Sequence, residues 1–390
     1  LSSRSGKPYI RKRKYINYDV TLPMPDLPVT TLVSALGFAA AIVFGATAQR
    51  TDFCTMGAIS DVMNLQDYRR FRAWLLAIAV AMTGSQLLHL AGVLDLGKSI
   101  YLTSNLGWLG AVIGGALFGF GMTLTGGCGN KTLVRLGSGN LKSLVVALVL
   151  GIVAYMTLRG LVALGRTRLI EPTNIDLTRS GLRSQGVPDM VASVTGLGLP
   201  GVRAALAVAV VVALLIYCFR DAAFRGSARH MLGGLIIGAL IPVGWLITGV
   251  AGADDFEPVP LASFTFVAPV GESLVYLMTF TGATINFGIA VVGGVIVGSF
   301  LMAMATGSFR LESFADANDL LRHLGGATLM GMGGVLALGC TIGQGITGLS
   351  TMAAGSVLAW LSILAGGAYG MKYLEEGSFG AAFRALLARG

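Results

Sequence analysis

The sequence predicts an all-α polytopic membrane protein with about nine transmembrane helices and short re-entrant half-helices, arranged as two pseudo-symmetric inverted repeats. Three observations carry that expectation: the composition, a series of long apolar stretches, and an internal self-match that ends in cysteine. Hydrophobic residues make up 54% of the 390, with 56 glycines besides, and charged residues only 12%. That is about half the charge of an ordinary soluble domain. The mean hydropathy is +0.75. Such a chain has lipid as its main solvent, which excludes soluble enzymes, disordered scaffolds and disulfide-stapled secreted domains.

Stretches long enough to cross a bilayer lie near Val29–Ala48, Ala73–Leu94, Leu106–Thr125, Leu141–Leu164, Val202–Phe219, Met231–Val250, Thr284–Thr306, Leu324–Gly339 and Ala353–Met371. They divide the chain into a basic arm (1–28), a first membrane repeat (29–165), a connecting loop and helix (166–229), a second membrane repeat (230–375) and a tail (376–390). The loop Ala251–Glu272 carries Asp254, Asp255, Glu257 and Glu272 without Lys or Arg, and reads as non-cytoplasmic. Arg69, Arg70, Arg72, Arg220, Arg225, Arg229, Lys372, Arg384 and Arg389 share the other side, which puts the C-terminus in the cytoplasm. The arm and Arg166, Arg168, Arg179 and Arg183 run against that rule.

The net charge of +9 is explained by cationic segments facing anionic lipid, so membrane lipids rather than nucleic acid are the expected partner. The arm itself holds Arg4, Lys7, Arg11, Lys12, Arg13 and Lys14. It does not read as a signal peptide, because Pro23, Pro25 and Pro28 interrupt its apolar continuation.

The self-match pairs LFGFGMTLTGGC, Leu117–Cys128, with LMGMGGVLALGC, Leu329–Cys340. Glycines at 119/331, 121/333 and 127/339 coincide without gaps, as do the terminal cysteines. Each cysteine runs into a polar break: Gly129-Asn130-Lys131-Thr132 after Cys128, and Thr341-Ile342-Gly343-Gln344-Gly345 after Cys340. Irregular backbone at membrane depth survives only where protein or a water-lined cavity satisfies it. A half-helix starting after each break would aim free N–H groups and its positive dipole end at the centre, which suits an anion. The alternative is that Gly-Gly-Cys only lets helices pack closely. A third cysteine, Cys54, follows the first span in Gln49–Gly57 and precedes a stretch too short to cross. Thr284–Gly288 is its expected counterpart in the second half, without a cysteine. Cys218, in a plain apolar helix, reads as structural.

Three elements together, QRTDFCTMG at Gln49–Gly57, GGC at Gly126–Cys128, and INFGIAVVGGVIVGSFLMA…GCTIGQG from Ile285 to Gly345, resemble the YeeE/YedE sulphur-transport family of prokaryotic inner membranes. The resemblance covers most of the chain from about Val33 to Tyr373. It implies an hourglass-shaped, pseudo-symmetric bundle that takes up thiosulfate or a related small sulphur-containing anion, with Cys54, Cys128 and Cys340 lining a narrow midplane path. The chain departs from the family at Thr51-Asp52, where Gly-Arg is frequent, and at Asn130-Lys131, where small residues and Thr are commoner. A cytoplasmic sulphur-carrier protein is a partner compatible with such a permease.

Gly127, Gly129, Asn130, Lys131, Gly339, Thr341 and Gln344 join the three cysteines as expected translocation residues. Thiosulfate is a dianion, and isolated ions cost tens of kcal/mol in a low dielectric. Thiols are weak, soft donors suited to a polarizable sulphur, and weak binding favours release. Such a relay requires neutral S–H groups, because a thiolate repels the anion. Lys131 has two readings, an anion-attracting buried cation or a snorkelling lipid contact, while Arg50 and Asp52 read as a loop ion pair. His89, His230 and His323 are scattered, so no metal is expected, and no nucleotide fingerprint or other cofactor motif is present. The competing function is a membrane-bound sulphurtransferase or thiol-redox protein carrying a persulfide, for which Cys54 would have to be accessible.

Overall fold

The computed structural model describes residues 28–254 and 258–387. Most of the basic arm, Asp255, Glu257 and Arg389 lie outside those residues. The first half runs α1 (Val29–Thr51), α2 (Thr55–Ser60, continued by a π turn over Asp61–Leu65), α3 (Arg69–Leu90), β1 (Asn105–Leu106), α4 (Trp108–Leu124), α5 (Gly129–Gly137) and α6 (Leu141–Arg159). A connecting region follows with α7 (Leu161–Gly165), β2 (Ile175–Asp176), α8 (Val187–Thr195), α9 (Leu199–Phe219) and α10 (Ala222–Arg225). The second half holds α11 (Ala228–Leu246), α12 (Val267–Met278), α13 (Phe287–Ala305) and α14 (Ala317–Leu336). After α14 comes a helical segment 341–350 with a π-helical core at Gly343–Gly348, then α15 (Ala354–Glu376) and α16 (Phe379–Leu387).

Among the described residues eight helices are long and apolar enough to cross a membrane. The ninth expected span, Leu324–Gly339, falls in α14, which has the length at 20 residues but not the apolar composition. Its first turns carry Asp319, Arg322 and His323, and it packs against α4 and α6. Those charges sit in its first, more exposed turns, ahead of the part from Gly326 onward that is packed among the other helices. The protein is a multi-pass membrane protein.

The two halves interlock. In the core α1 lies along α13, α3 along α11, and α4 against both α14 and α15, while α9 is clipped to the outside of α3. Glycine sets these distances, because lipid offers no hydrophobic drive between helices and close backbone contact replaces it. The α4–α14 crossing is reciprocal. A Cβ on Gly114 would lie 2.7 Å from the Gly333 carbonyl oxygen and one on Gly333 2.5 Å from that of Gly114. Gly121 and Gly326 repeat the arrangement at 2.6 and 2.7 Å.

Two ends can be distinguished. At one, Asp52 meets Arg229, Asn140 meets Glu312 and Lys142 meets Asp319; Asp67 in the nearby turn is held down to about 2 by hydrogen bonds from Arg69. At the other, β1 and β2 pair antiparallel with Asn105 opposite Asp176, and the backbone of Gln185 bonds to Thr103 and Ala354.

Gly298 of α13 abuts the Ile42 backbone, whereas Gly325 has open space beside it. Gly298→Val is expected to cost about 3 kcal/mol or more by overpacking and to abolish a monodisperse peak in detergent size-exclusion chromatography. Gly325→Ala leaves the peak unchanged and raises thermal stability slightly.

Candidate functional site

Helix α4 stops because its last carbonyls are capped from outside the helix. Gly126 turns the chain at φ +69°, a conformation that favours glycine, and the Gly127 N–H returns to the Met122 carbonyl at 2.9 Å. Cys128 is then the N-cap of α5. It is fully buried, and its thiol donates to Asn130 Oδ1 at 2.6 Å. The Asn130 Nδ2 group, equally buried, has no partner. Gly127 is confined, since a Cβ there would sit 3.0 Å from Lys131 Cγ, whereas one on Gly129 would make only ordinary contact with Phe266.

The second break repeats this construction with different residues. Leu338 takes the left-handed turn at φ +57°, and the Gly339 N–H returns to the Gly334 carbonyl at 2.7 Å. Cys340 is fully buried and its sulphur accepts from the Gly343 N–H at 3.4 Å. Gln344 Nε2 donates to the Ala337 carbonyl at 2.5 Å, leaving Oε1 without a partner. The Thr341 hydroxyl, also without a satisfied hydrogen bond, faces the Cys128 thiol across the centre.

Cys54 caps α2, its sulphur accepting from Gly57 N–H at 3.5 Å. It is 4% exposed, beside Phe53 stacked on Trp74 at 4.6 Å between centroids. Cys128 lies within electrostatic reach of both Cys54 and Cys340. The structure therefore brings the three expected cysteines into one buried cluster, with Thr341 and Asn130 among them. Cys218 stands apart, buried against the Arg72 carbonyl.

The cluster separates two unequal cavities. On the arginine-rich side a vestibule of about 540 Å³ is lined by residues that include Asp52, Gly126, Lys131, Arg135 and Arg310. On the opposite side a chamber of about 20 Å³, room for a single water, lies among Tyr101, Gln185, Ala337, Gln344 and Ser356.

Several expectations change here. Arg50 and Asp52 do not pair with each other: Asp52 bridges Lys131 Nζ at 3.1 Å and Arg229 Nη2 at 2.6 Å, and Arg50 offers only its carbonyl to Arg229. Lys131 neither snorkels to lipid nor stands free, since Asp52 holds it. The expected counterpart Thr284–Gly288 does not fall at the cysteine offset from Cys54. The offset that carries Cys128 onto Cys340 carries Cys54 onto Phe266, and Phe266 is the N-cap of α12 as Cys54 is of α2. Asn286 instead caps α13.

The sequence missed Tyr101, Gln185 and Arg135. The first two sit in connecting segments without a motif, and long-range backbone bonds such as those of Gln185 to Thr103 and Ala354 bring them to the same small chamber. Arg135 stands one helical turn beyond Lys131, a spacing that places both on one face of α5 and was open to reading.

Residues 50–369 match the family described as sulphur transport. The chain belongs to that family. It is similar to the thiosulfate transporter TsuA of Escherichia coli strain K12, at 29% identity over 315 residues, covering 80% of this chain and 86% of the relative. It is also similar to the thiosulfate transporter TsuA of Spirochaeta thermophila, at 24% identity over 331 residues, covering 85% of this chain and 96% of the relative. Family and relatives are transporters rather than enzymes, and the burial of Cys54 agrees, because a persulfide-carrying enzyme needs an accessible thiol.

The unequal cavities predict one-sided access. With Cys54, Cys218 and Cys340 replaced by serine, a small charged methanethiosulfonate reagent should reach Cys128 at least tenfold faster from the arginine-rich face. Mass spectrometry of right-side-out and inverted vesicles measures the difference.

Proposed function

We propose that this protein is a permease for thiosulfate or a closely related small sulphur-containing anion, passed along Cys54, Cys128 and Cys340 at the midplane. The observation that supports the reading is that buried Cys128 lies within electrostatic reach of both Cys54 and Cys340, with unpartnered buried polar groups on residues next to the three cysteines. Asn130 Nδ2 and the Thr341 and Thr55 hydroxyls are left unpaired, at about 1–3 kcal/mol each for an unmade bond in a dry site. A passing oxyanion satisfies such donors. Gly127, Gly129, Gly339 and Gln344 shape the two breaks around it. The similarity to two thiosulfate transporters supports the substrate class.

The sulphurs act as weak S–H donors to the polarizable terminal sulphur of the anion, while Asn130, Thr341 and the N–H groups at the start of α5 and of segment 341–350 meet its oxygens. Each contact is weak, so no single site holds the ion tightly. The reciprocal glycine contacts favour the inverted repeat: the offset between the two cysteines carries Gly114 onto Gly326 and Gly121 onto Gly333, so each contact maps onto the other. The positive-inside rule, applied to Arg69, Arg70, Arg72, Arg220, Arg225 and Arg229, supports an orientation with the arginine-rich end and the C-terminus in the cytoplasm, and the resemblance supports a prokaryotic inner membrane as the location. A cytoplasmic sulphur-carrier protein collecting the anion would approach the vestibule there, and lipids surround the bundle.

Uptake of sulphur-35 thiosulfate into proteoliposomes tests the reading, with Cys54, Cys128 and Cys340 changed singly to alanine. Wild type should show saturable uptake, and the Cys128 and Cys340 variants should lose at least tenfold in rate. Normal uptake by all three variants sinks the relay. Absence of saturable uptake by folded wild type removes thiosulfate as the cargo.

A further inference from the structure

The vestibule carries a charge arrangement that the cysteine cluster does not explain. Lys131 and Arg135 fold back over the Gly126-Gly127 turn, directly before Cys128. A Cβ on Gly126 would lie 3.2 Å from Arg135 Nη1, and one on Gly127 3.7 Å from the same atom. Both side chains line the same cavity. The cysteine offset places Gly343 and Thr347 at the matching positions of the second half, so this pair of cations stands on one side of the constriction only. Arg135 has no carboxylate partner among the described residues, whereas Lys131 does: its side chain is 9% exposed and its Nζ is held by Asp52. Asp52 is half exposed, at 49%, and its second oxygen is bound by Arg229.

We propose that Lys131 and Arg135 form an anion-binding subsite between Cys128 and the arginine-rich face, and that Asp52 is a tethered counter-anion occupying Lys131 until the transported anion arrives. This rests on the permease reading above. A buried ammonium left unpaired is costly, so a fixed carboxylate keeps the empty subsite stable. When a divalent oxyanion passes Cys128, it meets Arg135 and competes with Asp52 for Lys131. Asp52 gives up one oxygen contact but keeps Arg229, so no charge is stranded at any stage. The competition also weakens net binding, because the anion finds the subsite competent only while Asp52 is away. Release into the vestibule is correspondingly fast. Asp52 is therefore a positioning residue, and Lys131 and Arg135 are the groups that touch the anion.

Kinetics of thiosulfate uptake in proteoliposomes separate this from a structural ion pair. Asp52→Asn should lower the half-saturation concentration about five- to tenfold by removing the internal competitor, and lower the maximal rate by slowing release. Asp52→Glu should restore both. Arg135→Gln should raise half-saturation severalfold. It removes no ion pair, so it carries the test if Asp52→Asn fails to assemble. Saturable uptake with wild-type half-saturation in Arg135→Gln and in any assembled Asp52→Asn overturns the inference and leaves the permease intact. If wild type moves no thiosulfate, the permease reading fails instead. Thermal stabilisation of the purified protein by sodium sulfate and sodium thiosulfate, against sodium chloride at equal ionic strength, then decides. A larger divalent-anion shift in Asp52→Asn than in wild type upholds the subsite, and an equal or smaller one overturns it.

Discussion

The centre of this protein depends on carrying unpaired backbone to membrane depth without showing it to lipid. A helix that ends inside a bilayer leaves carbonyls on one side of the break and N–H groups on the other, each costing several kcal/mol against hydrocarbon. Here α4 and α14 cross so closely, through Gly114, Gly121, Gly326 and Gly333, that the breaks at their ends are enclosed by protein. The returning bonds from Gly127 to Met122 and from Gly339 to Gly334 satisfy one carbonyl each. The freed N–H groups of the next helical turn are left to face inward. Cysteine occupies the N-cap at the first break, at the corresponding place in the second and before α2, so sulphur sits where helix dipoles converge.

That arrangement alone is indifferent to direction. Direction enters through what surrounds it. The arginine-rich end opens into a vestibule of about 540 Å³ with Lys131 and Arg135 at its floor, whereas the far chamber holds about 20 Å³ among neutral groups such as Tyr101, Gln185 and Gln344. An anion at the constriction therefore has a wide, positively charged side and a narrow, neutral one. The field of the vestibule acts over its whole width, since the walls are protein and lipid rather than water.

Much of this was legible in the sequence, for definite reasons. Long apolar stretches have no other solution than to span lipid, and a polar break such as Gly129–Thr132 inside one has few. Cys128 and Cys340 were legible because each ends a glycine-spaced run, and Cys54 because it follows the first span and precedes a stretch too short to cross. Partners distant along the chain were not. Asp52 reads locally as the neighbour of Arg50, and nothing in the sequence signals that Lys131 and Arg229 will arrive beside it. Tyr101 and Gln185 come from loops whose pairing, Asn105 with Asp176, involves two residues a side and leaves no periodicity to read. Helix α14 begins ahead of the apolar stretch Leu324–Gly339, and its first turns carry Asp319 and Arg322.

The match between Cys54 and Phe266 shows how the two halves have come to differ at the site itself. Both residues cap a half-helix, α2 and α12, and both stand beside the cluster. At Cys54 the side chain supplies a sulphur. At Phe266 it fills the core, tilted against Phe44 with ring centroids 5.4 Å apart, and its backbone N–H reaches Cys340. A path built from two identical halves would offer four sulphurs and equal access from either end. This one offers three, with the additional thiol on the α1–α2 side, next to Asp52 and the wide vestibule. The soft donors and the hard cations are thus concentrated on the same side of the constriction. On the permease proposal, an anion with one sulphur end and one oxygen end would meet both kinds of partner within a few residues there, and a single buried thiol with backbone donors on the other side.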